Sequence, residues 1–291
     1  MNTISAYWTN GKSNFGDSVT PELVSFMLQQ PVSWADKWHS EVLTIGSILG
    51  WTLFKPPRRG ISGKIDAARM LIRRTLTSPV RVFGSGFLFN PIKGSLSPHL
   101  RRKPLFFAVR GRKTLEILHA LKLVDRGAQT IALGDPGLFF PDLWPDVKRT
   151  DRNSRAYIPH ESEWGSEKLS AFSSSYPDIT LIDVRRPPKD VFSEIASCSE
   201  VFSSSLHGLV SADALGIPNR WVRLEIPGRS AEDDRFKFDD YYSAFGLVSN
   251  PCELADVPIV QTGPQVPKNA VKERRAALYE ALNRLRISCD K

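Results

Sequence analysis

Short runs of β-branched and aromatic residues recur along this chain, and each stops at a turn residue or a charge before a helical pattern begins. Glu41–Ile45, Val80–Phe83, Leu105–Val109 and Thr130–Leu133 are such runs in the first half; Ala156–Ile158, Ile179–Asp183 and Glu200–Ser203 are their counterparts in the second. The apolar spacing between them predicts helices from about Thr20, over Arg112–Lys122, Pro188–Cys198 and Leu209–Leu215, and a basic amphipathic helix over Lys268–Arg286. Strands alternating with helices predict an α/β fold with parallel sheets. In such folds ligands bind beyond the carboxyl ends of the strands. The polar residues placed there are Ser47, Ser85, Arg110, Asp135, His160 and the run Ser203–Gly208. They are the candidate lining of one cleft.

A seam is expected in the polar, proline-flanked stretch Pro141–Arg155. It separates an N-terminal sheet unit (1–145) from a second one (155–267), followed by the terminal helix (268–291). The longest largely apolar stretch, Ile45–Phe54, is about half of what a membrane-spanning helix needs. The N-terminal residues lack the basic start and apolar run of a signal peptide. A cytoplasmic location is the expectation. Three widely spaced cysteines (Cys198, Cys252, Cys289) match neither a disulfide framework nor a zinc site. No metal site is expected.

The net charge of +8 is uneven. Residues 55–103 hold twelve of the bases and one acid, Asp66, so this stretch carries +11 and the remainder −3. A face of that kind attracts phosphate, whether on nucleic acid, lipid headgroups or a polyanionic substrate. The stretch has neither a nucleic-acid-binding motif nor interleaved aromatics for base stacking.

Several strings carry specific chemistry. Ser203-Ser-Ser-Leu-His-Gly208 is a serine-rich turn feeding a helix, where backbone N–H groups and the helix dipole favour an anion. His207 at its mouth suits proton transfer near neutral pH. Arg110, followed by Gly111, offers a planar fork for carboxylate or phosphate. Asp135 in Gly134-Asp-Pro-Gly137 has the means to bind a sugar hydroxyl or orient a base, although the string is also an ordinary turn. Asn14-Phe-Gly-Asp17 adds a glycine turn and a carboxylate. The chain has no dinucleotide fingerprint after a strand, no phosphate-binding P-loop, no HExxH and no GxSxG elbow.

Taken in order, Asn14-Phe-Gly-Asp17, Gly46-Ser-Ile-Leu49, Gly84-Ser-Gly86, Val109-Arg-Gly-Arg112, Leu133-Gly-Asp-Pro-Gly137, Ile158-Pro-His160, Ser203–Leu209, Ala212–Pro218 and Lys237-Phe-Asp-Asp-Tyr-Tyr242 resemble the polysaccharide pyruvyl transferase family. The likeness runs from about residue 7 to 247. It implies a GT-B-like pair of Rossmann-type domains facing across a cleft. It also implies phosphoenolpyruvate as donor substrate, with no further cofactor, and a pyruvate ketal formed on a sugar of a polysaccharide or lipid-linked oligosaccharide precursor. The expected roles are His207 as general acid, Arg110 as the donor's anion holder, and Ser204, Ser205, Gly208 and Ser85 in donor binding. Asp17, Asp135 and His160 are expected to activate or position the acceptor. Many members carry an arginine two residues before the histidine, where this chain has Ser205. With a lipid-linked acceptor, residues 55–103 would hold the protein at the anionic inner membrane face. The alternatives from the residues themselves are a glycosyltransferase of the same architecture using a nucleotide sugar and, more distantly, a non-catalytic nucleic-acid-binding protein.

Overall fold

The computed structural model describes residues 3–11, 14–54, 72, 78–91, 102–125, 130–150, 154–223, 231–263 and 265–289. Six strands, β1 (Ile4–Ala6), β2 (Val32–Trp34), β3 (Val42–Leu43), β4 (Val80–Phe83), β5 (Pro104–Val109) and β6 (Ala132–Leu133), form one sheet in the order β2-β1-β3-β4-β5-β6. Four more, β7 (Arg155–Ile158), β8 (Ile179–Leu181), β9 (Glu200–Ser203) and β10 (Asn219–Trp221), form a second sheet in the order β10-β9-β7-β8. Every pairing in both sheets is parallel. The α/β reading holds. β4 and β9 have the bounds expected, and β3 is shorter than the Glu41–Ile45 run.

Both strand orders reverse direction once, between β1 and β3 in the first sheet and between β7 and β9 in the second. At such a switch point the connections leave to opposite sides and open a crevice at the carboxyl ends of the strands. The two crevices supply the site described below.

The elements missed in the sequence include β1, β2, β10, the short helices Phe15–Ser18, Leu49–Leu53 and Phe140–Leu143, and the longer helices Glu167–Ser175 and Ala231–Ser243. The three strands have three residues each, too few to show a period. The Ala231–Ser243 helix is acidic and weakly amphipathic, with Phe238, Tyr241 and Tyr242 buried among charges. The helix expected from Leu209 begins at Leu206, which makes Ser205 its N-cap and puts His207 in the first turn.

The terminal helix spans Lys268–Cys289 and buries Val271, Leu278, Ala281, Leu282 and Leu285, the face its spacing predicted. It lies on the first sheet, against β5 and β6. Arg81 of β4 donates to Ser288 Oγ at 2.9 Å, and Arg286 donates to the Met27 carbonyl at 2.6 Å. One continuous core joins residues of this helix to residues of both sheets.

Of the bases in 55–103, the described ones are Arg81, Arg102 and Lys103; the other nine lie outside the described residues. Arg102 is buried, 3.3 Å from Ser40 Oγ, and burial lowers its pKa to about 10. Arg81 and Arg102 are thus engaged within the protein and add little to a basic face.

Asp213 ties the Leu206–Leu215 helix to the rest of the second half. Its carboxylate is enclosed, 2.7 Å from Asn219 Nδ2 and 2.9 Å from the Tyr241 hydroxyl. Burial outweighs these two donors and raises its pKa to about 7. The folded protein thus keeps a proton that the unfolded chain releases near pH 4. Stability from this group is complete below that pH, falls by about 1.4 kcal/mol per unit as pH rises, and is lost once pH passes about 7. The stability difference between the native chain and Asp213→Asn should shift by about 4 kcal/mol between pH 4 and 7. Urea unfolding of both proteins across that range measures it, and a pH-independent difference would refute the burial argument.

Candidate functional site

A cavity of about 460 Å³ opens where the two switch points meet. Its size is that of an ordinary small-molecule site. Tyr7 and Thr9 reach it from the end of β1, and Gly46, Ser47 and Ile48 from the end of β3. His160 and Glu161 follow β7; Ser205, Leu206 and His207 follow β9. Asn14, Gly16 and Asp17 come from the short helix Phe15–Ser18 and its cap, where Asn14 Oδ1 accepts from Gly16 N at 3.3 Å. Lys37, Trp51, Leu88 and Lys237 complete the wall.

His207 is held between two fixed groups. Its Nε2 lies 3.7 Å from Asp135 Oδ2, and Asp135 is fully buried. Neither atom has a hydrogen-bond partner among the described residues, while Asp135 Oδ1 accepts from Gly137 N at 2.9 Å. A closure of under an ångström converts the contact into a hydrogen bond, as catalytic pairs do on binding a ligand. Gly16 closes the other side of the ring. A Cβ built on Gly16 would meet His207 Nδ1 at 2.0 Å and Cε1 at 2.3 Å. The glycine of Asn14-Phe-Gly-Asp17 is therefore the space the imidazole needs.

Arg110 has different surroundings from those expected. Its side chain is fully buried and does not line the cavity. Nε donates to Asp240 Oδ2 at 3.0 Å, Nη1 to Ser47 Oγ at 2.5 Å and Nη2 to the Phe87 carbonyl at 2.6 Å. With every guanidinium nitrogen engaged inside the protein, direct contact with a donor anion gives way to a positioning role, exerted through Ser47. Asp240 also accepts from Thr114 N at 2.8 Å and Thr114 Oγ1 at 2.7 Å, at the start of the Arg112–Ala120 helix. Gly86 and Gly111 make room for this pair: a Cβ at Gly86 would lie 2.6 Å from Arg110 Cζ, and one at Gly111 would lie 1.7 Å from the Asp240 carbonyl oxygen.

The serines divide in the same way. Ser205 lines the cavity, whereas Ser85 is buried and donates to the Gly46 carbonyl at 2.9 Å. Ser204 is buried too; its hydroxyl donates to Glu163 and accepts from His160 N at 2.8 Å. Glu163 in turn accepts from His160 N at 2.7 Å and from the Tyr157 hydroxyl at 2.7 Å. This carboxylate fastens the turn after β7 to the turn after β9, so Ser204 shapes the site without facing a ligand. Gly208 packs against Ser203 and Ile158, where a Cβ would meet Ser203 Oγ at 2.6 Å. Asp17 and His160 face the cavity. His160 also caps the turn that follows it, through Ser162 N at 3.3 Å.

Sequence reasoning missed Tyr7, Lys37, Trp51 and Lys237. Tyr7 follows a strand too short to recognise. Lys237 belongs to a quoted string but reaches the cavity only because the Ala231–Ser243 helix packs beside the Arg112–Ala120 helix.

The model of the polysaccharide pyruvyl transferase family matches residues 48–225. The chain belongs to this family. Two relatives are informative about its breadth. Uncharacterised protein L143 of Acanthamoeba polyphaga mimivirus is 33% identical over 144 residues, 48% of this chain and 47% of that protein. The succinoglycan biosynthesis protein ExoV of Rhizobium meliloti is 22% identical over 249 residues, 84% of this chain and 66% of ExoV. The chain thus spans about half the length of the first relative and about two thirds of the second. A crystal structure of a functionally uncharacterised protein from Klebsiella pneumoniae overlaps 83% of this chain and 91% of its own, at 14% identity and a TM-score of 0.40, too low to support a statement about fold. Within the pyruvyl transferase match lie Arg110, Asp135, His160 and the Ser203–Gly208 turn; Asn14, Gly16, Asp17, Ser47 and Lys237 lie outside it. Among the described residues no helix is long and apolar enough to cross a membrane.

Proposed function

We propose that this protein is a pyruvyltransferase that takes the enolpyruvyl group from phosphoenolpyruvate and forms a ketal on two hydroxyls of a sugar. The observation that carries the reading is His207, held between Asp135 and Gly16 in the first turn of a helix whose N-terminus opens on the cavity. Nε2 is turned to Asp135, which leaves Nδ1 as the atom that exchanges a proton with a ligand. Asp135 backs the ring on that side.

His207 delivers a proton to C3 of the donor, and C2 becomes electrophilic. A sugar hydroxyl attacks C2 and passes its proton to Asp17, with His160 positioning the acceptor. The bond between C2 and the phosphate oxygen breaks, and phosphate leaves with the electron pair. The second hydroxyl then closes the ketal. Of the two hydroxyl protons released, one replaces the proton given to C3 and the other leaves with phosphate. The donor's carboxylate and phosphate meet the backbone N–H groups at Leu206–Gly208, Ser205, Lys37 and Lys237. The lysines stand in for the arginine absent at Ser205. The GT-B-like arrangement, a lipid-linked acceptor and contact of residues 55–103 with an anionic membrane belong to the same proposal.

Calorimetric titration with phosphoenolpyruvate, alongside a panel of nucleotide sugars, tests it. Phosphoenolpyruvate should bind alone, and Lys237→Ala should weaken it about tenfold or more, the worth of one charge-assisted hydrogen bond. Binding of a nucleotide sugar instead would make the protein a glycosyltransferase.

A further inference from the structure

The cavity has an apolar wall that donor chemistry does not use. Trp51 lines it, with 47% of its surface exposed, on the helix Leu49–Leu53, whose other residues Leu49, Gly50, Thr52 and Leu53 are all buried. The indole is braced edge-on by Phe89, with ring centroids 6.2 Å apart and planes at 84°. Ile48, Leu88 and Tyr7 extend the same lining. All five residues belong to the half that also supplies Asp17 and Asn14 to the cavity. A rigid aromatic surface beside groups that accept and donate hydrogen bonds matches one chemical class closely. A pyranose ring has an apolar face of C–H groups and a rim of hydroxyls.

We infer that Trp51 is the platform for the acceptor: the C–H face of a hexopyranose packs on the indole, which turns the ring's hydroxyls toward Asp17 and the reacting carbon. This rests on the proposed transfer to a sugar and names the residue that selects it. Ser47, fixed by Arg110, sits in the turn that leads into the Trp51 helix and lines the cavity beside it. An aromatic contact of this kind contributes about 0.5–1.5 kcal/mol beyond the area it buries. Together with that area, its loss corresponds to roughly tenfold in affinity.

The test is saturation-transfer NMR and titration of the full chain with methyl α- and β-pyranosides of glucose, galactose, mannose and N-acetylglucosamine. At least one glycoside should receive saturation, strongest at the C–H protons of one ring face. Trp51→Ala should weaken it about tenfold, and Trp51→Phe should stay within about threefold of the native protein. Phosphoenolpyruvate affinity should be unchanged in both variants. Glycoside binding that Trp51→Ala leaves intact overturns the inference, as does a native protein that binds none of the panel. Trp51-dependent binding of uridine or guanosine diphosphate in place of the glycosides also overturns it, in favour of a nucleobase. Trp51-dependent glycoside binding without any phosphoenolpyruvate binding supports the platform and removes the donor assignment, so the two readings fail separately.

Discussion

Alanine at Gly16 is expected to lower turnover at least 100-fold, as far as removal of the His207 imidazole does. The added methyl would lie 2.0 Å from Nδ1, closer than any real contact, so one of the two groups has to move. The ring cannot retreat far, because the buried Asp135 carboxylate stands 3.7 Å behind Nε2. Displacement therefore breaks the proton path whichever way the ring turns. A positioned acid contributes about 100- to 10,000-fold to rate, which sets the size of the effect. Phosphate release from phosphoenolpyruvate, measured with a glycoside that the native protein binds, gives the turnover of Gly16→Ala, His207→Ala and the double variant. The double variant should be no slower than His207→Ala, since a smaller side chain at 207 makes room for the methyl. Strict additivity, or Gly16→Ala within a few-fold of the native rate, would show that His207 is not the group held there for catalysis.

Asp240→Ala should cost about 3–5 kcal/mol of folding stability and lower Tm by on the order of 10 °C. The carboxylate and its partner Arg110 are both fully buried, so deletion leaves a guanidinium without its counter-charge in a site water does not reach. Thr114 N and Thr114 Oγ1 lose their acceptor in the same step. Against a total stability of about 5–15 kcal/mol, that loss is a large share. Replacing both members with apolar residues, as in Arg110→Met with Asp240→Leu, should recover much of it, because the charges are then removed together. Thermal unfolding of the three proteins decides the matter. A loss under about 1 kcal/mol in the single variant would mean the pair is solvated, and the positioning role given to Arg110 through Ser47 would go with it.

Much of the site was legible along the chain because parallel α/β sheets put their ligand groups at one place, the carboxyl ends of strands. Reading where β3, β7 and β9 stop was enough to name Ser47, His160 and the Ser203–Gly208 turn. The order of the motif strings was enough to name the family, which the match over residues 48–225 then established.

Direction was another matter. Arg110 and Ser47 occupy the same kind of position, yet one faces inward and the other lines the cavity, and the difference is made by Asp240, 130 residues away from Arg110. The glycines show the same limit. Their places were plain in the strings, but not that Gly16 faces His207, Gly86 faces Arg110, Gly84 faces Pro136 and Gly111 faces Asp240. Hydrophobic period and turn chemistry are local properties, and they fix where strands end and helices begin. Which way a side chain leaves a turn depends on the groups that arrive from other elements to fill space and meet its charge, and those are assembled only when the two sheets and the Ala231–Ser243 and Lys268–Cys289 helices pack together.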